Sequence, residues 1–372
     1  GSAATVAAYY SNPAVAALNL KYVNPAGAVT TTPSLSDVND TFKKEVSKAA
    51  EAGFKASLLD NHLDAVVLWI ALNKISAVSV PLNTALKGEF LRHQVADSGA
   101  AIVVCDAAYV PRLLEVADQL GSVKRLLVRG GLPADVTATG FVMEDLERHR
   151  GDDDTPFTEL PDPAALNALI YTSGTTGAPK GAMTLNRNLV FQLSLATEYL
   201  DIQPGDKSVS FLPLCHIAER MSSVYNPLAL GLVVHFPENS GTVFNDMREV
   251  APHLVFAPPR FWEKMYSQID LFMRDAIAPA RWTYHTTRAM GAARVEAQLL
   301  GQATSSPTLL LKIMQWLAMR NVRIFLGLQN VKSALTGAAP VPPDLIRWYL
   351  GCGIELREAY GMTETTGFCT AT

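Results

Sequence analysis

Short apolar runs alternate with stretches at helical spacing between residues 56 and 128, and the alternation returns between 208 and 257. Few architectures satisfy that pattern: it is the signature of parallel strands buried on both faces, with crossover helices covering the sheet. The first series reads as strand 56–59, buried helix 64–74, strand 77–82, helix 88–97, strand 101–105, helix 109–120 and strand 124–128. Ahead of it, 34–52 opens with serine and aspartate and carries Phe42, Val46 and Ala49 at helical spacing, so a helix is expected there. The second series reads as 208–212, 217–230, 233–236, 243–250 and 254–257, a second doubly wound unit. Helices are expected at 282–300 and 308–320, and strands at 333–336 and 354–358. The second of those helices is apolar almost all round and reads as a core helix, with a hydrophobic channel or a membrane-facing patch as the other readings.

Size and charge narrow the function classes. The 372 residues, 49% hydrophobic, suffice for a large core in about two domain-sized units. A net charge of -4 lacks the basic excess that binding a nucleic acid would need. Cys105, Cys215, Cys352 and Cys369 form no CxxC or His-spaced metal pattern, so reduced thiols in a cytoplasmic protein are expected. Gly1 and Ser2 read as the remnant of a cleaved tag, and the residues after them lack the basic start of a signal peptide. Apolar runs such as 65–72 are too short to span a bilayer. Residues 148–163, with Asp152, Asp153, Asp154 and three prolines, read as a solvated loop rather than a metal site.

The chemistry concentrates in YTSGTTGAPKG, residues 171–181. Glycines let the backbone approach a ligand and turn consecutive N–H groups toward phosphate oxygens. Thr172, Ser173, Thr175 and Thr176 add hydroxyl donors, and Lys180 adds a point charge suited to phosphate. The spacing differs from GxxxxGK[ST], so this is not the P-loop of nucleoside triphosphatases. A strand at 166–171 before it and a helix at 186–200 after it place the segment between strand and helix, as phosphate loops often are.

Three further segments follow in order: FLPLCHIAER (211–220), TGAAP (336–340) and YGMTETTG (360–367). Together with YTSGTTGAPKG, this set resembles the motifs of the acyl-adenylate-forming superfamily of acyl-CoA synthetases and luciferases. PHLVFAPPRFWEKMY (252–266) is most similar to the long-chain fatty acyl-CoA synthetase branch. The resemblance covers the chain from about residue 34. It implies an α/β fold of two doubly wound sheets with helices on both faces plus a distorted β-barrel. The whole of 1–372 would be the large N-terminal adenylation domain, divided near 1–165, 166–330 and 331–372.

What the resemblance implies for chemistry is ATP- and Mg²⁺-dependent activation of a carboxylic acid to acyl-AMP, with pyrophosphate leaving, followed by thioester formation with CoA. Thr172, Ser173, Gly174, Thr175, Thr176, Gly177 and Lys180 would hold the β- and γ-phosphates. Gly337, Ala338 and Ala339 would line one face of the adenine, with Tyr360 stacked on the other and Glu358 accepting from its amine. Gly361 and Met362 belong to the same nucleotide-contacting segment; Thr363 would bind the α-phosphate. Glu364, with Thr172 as a second oxygen, would ligate Mg²⁺, which takes hard oxygen donors. His216 matches the family residue beside the path of the acyl carboxylate; because that carboxylate is ionised at neutral pH, no base role follows. Arg220 and Trp262 are candidates for an acyl-channel gate, with core packing an equal reading for Trp262.

The family's ribose-binding aspartate, hinge and C-terminal domain with its adenylation lysine have no counterpart before Thr372, so this polypeptide alone is expected to adenylate poorly. An acyl-AMP ligase, a steroid or aryl acid–CoA ligase, and a non-catalytic nucleotide- or acyl-binding module are the other readings. The expected partners are a small carboxylic acid, ATP and CoA, and no nucleic acid; peripheral membrane contact and a homodimer stay open.

Overall fold

The structure, a computed structural model, describes residues 22–23, 29–30, 62–134, 140–149, 161–172, 177–299 and 309–371. The helix expected at 34–52, the strand expected at 56–59 and Ser173 to Thr176 lie outside them. The chain divides into two units: one holds Ala65–Leu189 and Pro213–His216, the other Val190–Leu212 and Ile217–Thr372.

In the first unit, β1 (Tyr22–Val23) and β2 (Val29–Thr30) form an antiparallel pair. The helix α1 (His62–Lys74) is followed by α2 (Gly88–Asp97). A three-stranded parallel sheet follows, with β3 (Ile102–Asp106), β4 (Arg125–Arg129) and β5 (Val142–Asp145) in that spatial order. Leu91 and Val95 of α2, four apart on one helical face, pack on Val103, Leu126 and Val128 and on Val110 and Leu113 of α3 (Val110–Leu114). The expected helix 109–120 is therefore shorter, continued by a separate 3₁₀ turn at Ala117–Gln119 where Val116 leaves helical geometry. The expected strand 77–82 is reduced to one bridge between Ser79 and Ala168, since Pro81 has no N–H to extend the ladder.

The glycine-rich segment does not pass from strand to helix. It joins β6 (Leu166–Thr172) to an antiparallel partner, β7 (Lys180–Leu185), and only then does α4 (Asn186–Tyr199) begin. The run KGAMTL after the lysine pairs back on the delivering strand, a hairpin that the motif's loop-like composition concealed.

The second unit is organised on a six-stranded sheet in the order β9-β8-β10-β11-β12-β13. The strands are β8 (Lys207–Val209), β9 (Val233–His235), β10 (Leu254–Ala257), β11 (Ser333–Gly337), β12 (Leu356–Met362) and β13 (Gly367–Ala371). All neighbours run parallel except β12 and β13. Its core joins strand residues Val255, Ala257 and Leu356 to Met247 of α7 (Val243–Val250) and Trp262, Met265 and Ile269 of α8 (Pro259–Asp275). Leu345, Trp348 and Tyr349 of α11 (Pro343–Gly351) complete it. Trp262, completely buried, donates from Nε1 to Ala257 O at 3.1 Å, which is the core-packing reading of that residue. The expected helix 217–230 is a composite: α5 (Ile217–Arg220), a π turn (Met221–Tyr225) and α6 (Asn226–Leu230). The long helices α9 (Ala278–Leu299) and α10 (Leu309–Leu326) follow α8. In α10, Met319, Val322 and Leu326 are buried while Leu309, Ile313, Trp316 and Ile324 are exposed, so among the described side chains one side is core and the other is not. No helix of the described residues is long and apolar enough to cross a membrane.

Candidate functional site

In the first unit, Thr172 ends β6 directly opposite Lys180, which starts β7. Lys180 is exposed and Thr172 half-buried. Gly177, between them, has φ 131, a conformation open to glycine and strained for any side chain. Tyr171, one residue before Thr172, donates its hydroxyl to Asp97 Oδ2 at 2.7 Å. Burial, then the hydrogen bond to Asp97 and its charge, push the phenol's pKa up, so it stays a donor. His93 Nε2 lies 2.8 Å from the carbonyl of Pro179, one residue before Lys180. Thr172 and Lys180 are thus brought together by the hairpin; Ser173, Gly174, Thr175 and Thr176 are outside the described residues. His216 stands exposed just before α5, its N–H bonded to Pro213 O at 2.9 Å.

In the second unit the expected nucleotide residues gather at the carboxyl ends of adjacent parallel strands, where open α/β sheets bind ligands. Gly337 closes β11 opposite Ala359 of β12; a Cβ on it would lie 2.5 Å from Ala359 O, so only glycine lets the strands approach. Ala338 follows at φ 67, a left-handed conformation that turns the chain out of the sheet, and Ala338 and Ala339 are exposed. Glu358 is half-buried opposite Thr336, and Tyr360 presents an exposed ring. Beyond a bulge at Tyr360/Gly361, a Cβ on Gly361 would collide with Gly367 O, so the β12–β13 turn also requires a bare backbone. Thr363 and the exposed Glu364 open the 3₁₀ turn between these strands. That turn is closed by Thr365, whose Oγ1 accepts from Met362 N at 3.2 Å, and by the αL conformation of Thr366.

Motif reading missed the residues that hold these segments. Gln192 of α4, buried, donates from Nε2 to Thr365 O at 3.0 Å and to Phe368 O at 2.9 Å, gripping both sides of the turn. Its only sequence signal is an amide three residues after buried Leu189, on the apolar stripe of the helix. Glu219, inside FLPLCHIAER, is buried and accepts from Ser210 and Ser223 hydroxyls, each at 2.5 Å, and from Leu212 N at 3.2 Å. Burial pushes its pKa up while these donors oppose the shift. Asp97 and His93 carried no signal at all, since each meets its partner across 74 or more residues.

Residues 56–372 match the family described as "AMP-binding enzyme". The chain belongs to the AMP-binding enzyme family. Among curated relatives of this AMP-binding chain, the long-chain-fatty-acid–CoA ligase heimdall of Drosophila melanogaster is 36% identical over 54% of this chain and 30% of its own length. The long-chain-fatty-acid–CoA ligase ACSBG1 of Rattus norvegicus is 28% identical over 73% of this chain and 39% of its own. The chain thus spans well under half the length of these relatives. The fold is shared with the N-terminal domain of FACL13 from Mycobacterium tuberculosis, at TM-score 0.57 and 20% identity, covering 95% of this chain and 74% of that one. It is shared equally with the adenylation domain of a carboxylate reductase from Mycobacterium chelonae, at TM-score 0.57 and 21% identity, covering 94% and 55%.

Proposed function

We propose that this AMP-binding chain is the large domain of an ATP- and Mg²⁺-dependent fatty acid:CoA ligase working through an acyl-AMP intermediate. The observation that carries the reading is the pair Thr172 and Lys180, set opposite one another at the mouth of a glycine- and hydroxyl-rich hairpin loop. A hydroxyl and an ammonium on facing strand ends suit the β- and γ-phosphates, and Ser173, Gly174, Thr175, Thr176 and Gly177 supply further donors. Gly337, Ala338, Ala339 and Tyr360 take the adenine, with Glu358 accepting from its amine and Gly361 and Met362 shaping the strand end. Thr363 takes the α-phosphate.

Glu364 fits a metal, offering exposed carboxylate oxygens at the start of a tight turn. Among the described residues no cluster of three or more His, Cys, Asp or Glu could cage an ion. One or two protein oxygens plus phosphate oxygens are what Mg²⁺ ordinarily accepts, so Glu364 is the protein ligand proposed for it. When bound, the ion neutralises phosphate charge. The acid's carboxylate oxygen attacks the α-phosphorus, the bond to the pyrophosphate oxygen breaks, and Lys180 stabilises the departing charge. His216 lies along the acyl carboxylate's path as a hydrogen-bonding group. CoA thiolate then displaces AMP from the acyl carbon. A fatty acid is favoured over other acids because the relatives at 28% and 36% identity are named for that substrate.

The test is pyrophosphate release by the full-length protein given ATP, Mg²⁺ and a panel of carboxylic acids, with and without CoA. Release is expected with fatty acids, and thioester only with CoA. Acid-independent or absent release would refute the enzyme reading, and release that never yields thioester would favour an acyl-AMP ligase.

A further inference from the structure

The mouth of the hairpin is held from one side by α2, a helix none of whose residues has been assigned to nucleotide. Tyr171 and Pro179 immediately precede Thr172 and Lys180, and both are tied to that helix. Tyr171 donates its hydroxyl to Asp97 Oδ2 at 2.7 Å. The carbonyl of Pro179 can only accept, so His93 Nε2, 2.8 Å away, carries the proton and donates. His93 and Asp97 are four residues apart and share one face of the helix. The His93 and Tyr171 rings meet edge-to-face with centroids 6.4 Å apart. Across the hairpin, Gly181 leaves the space the tyrosine ring fills: a Cβ there would stand 3.2 Å from its Cζ. The opposite face of α2 is buried through Leu91 and Val95 in the core of the same unit, so the helix is a fixed post.

Resting on the reading of this hairpin as a phosphate cradle, we propose that His93, Asp97 and Tyr171 are positioning residues that fix Thr172 and Lys180 for the triphosphate arm of ATP. A donor already in place forfeits less conformational freedom on binding, so affinity for the groups it meets rises without any new contact. The effect falls on the β- and γ-phosphates that this hairpin serves. Binding of AMP, which lacks them, is independent of the post.

The test compares equilibrium binding of ATP and of AMP to the full-length protein with Mg²⁺ present, by calorimetry. Tyr171→Phe and Asp97→Ala each delete the same hydrogen bond, and each is expected to weaken ATP about tenfold, the scale of a charge-assisted bond, with AMP affinity held. The double variant is expected to be no weaker than either single one, because the two act through one bond. Asp97→Asn keeps a neutral acceptor in place and recovers most of the ATP affinity; His93→Gln, which retains a donor, does the same against His93→Ala. ATP affinity unchanged in both single variants would overturn the proposal. So would equal weakening of ATP and AMP, which marks a structural role only, or penalties that multiply in the double variant. A wild-type protein whose ATP affinity does not exceed its AMP affinity would overturn the cradle reading itself, before any variant is compared.

Discussion

Two turns carry the residues assigned to nucleotide, and they are built in opposite ways. At the hairpin mouth in the first unit, Gly181 faces an aromatic ring that can shift, and the strand ends are tied by side chains of α2. At the β12–β13 turn in the second unit, Gly361 faces the Gly367 carbonyl, and Gln192 ties the turn through backbone oxygens alone. Backbone packed on backbone has no soft coordinate, whereas a ring against a glycine can give by a few tenths of an ångström. The difference teaches where precision is stored. The β12–β13 turn, proposed for adenine, α-phosphate and metal, combines backbone-on-backbone packing at Gly361 with the grip of Gln192, whereas the strand ends beside Lys180, proposed for the phosphate arm, rest on side-chain contacts alone.

Gly361→Ala breaks the comparison most severely if it is wrong. Its Cβ has nowhere to go, so a loss of about 3 kcal/mol in unfolding free energy is expected, read from denaturant midpoints. A cost near zero would mean that the turn is soft after all. Next comes Gln192→Ala, which strands the carbonyls of Thr365 and Phe368; about 2 kcal/mol and weakened AMP binding are expected by denaturation and calorimetry. Retained AMP affinity would show that the turn needs no grip from α4.

A third measurement probes what anchors the second unit's sheet at its amino ends. Asp206 accepts from Lys332 Nζ at 2.7 and 3.0 Å and sits 3.6 Å from His253 Nε2, just ahead of β8, β11 and β10. Burial alone would raise its pKa, but the Lys332 and Gln203 hydrogen bonds and the charges of His253 and Lys332 together hold it below the usual carboxylate value. A carboxylate lowered on folding contributes stability above its unfolded pKa of about 3.9, and loses it as pH falls through the lower folded value. Unfolding free energy followed from about pH 5 down to pH 2 is expected to decline less steeply in Asp206→Asn than in the wild type. Identical slopes would remove Asp206 from the acid response. The smallest effect is Gly181→Ala, about 1 kcal/mol with the fold kept, because the Tyr171 ring moves aside. A loss as large as that at Gly361 would erase the contrast between the two turns.

These contrasts also explain what could be read from the sequence. The β/α alternation exposed α2 with its observed bounds and most of the strands, because these strands are short apolar runs whatever share of each face is buried. The β12–β13 turn was visible as a motif because Gly361 and Gly367 answer to steric demands that one residue type meets. β7 was hidden because it follows a glycine-rich segment whose composition reads as loop, and β13 because the polar turn Thr363–Thr366 gives no sign that the chain folds back on β12. Helices α8 and α11 do carry a local signal, Pro at the first turn of each and buried apolar spacing at Trp262, Met265 and Ile269 in α8 and at Leu345, Trp348 and Tyr349 in α11. Asp97, His93 and Gln192 were illegible for a different reason: a hydrogen bond across 74, 86 or 173 residues leaves no local pattern.

The most direct test of the central claim is isolation of the intermediate. Full-length protein incubated with ATP, Mg²⁺ and a long-chain fatty acid, CoA omitted, is expected to yield fatty acyl-AMP detectable by mass spectrometry, and markedly less of it in Lys180→Ala and Glu364→Ala variants. Nucleotide recovered only as ATP or as its hydrolysis products, with no acyl-AMP for any fatty acid supplied, would contradict the account.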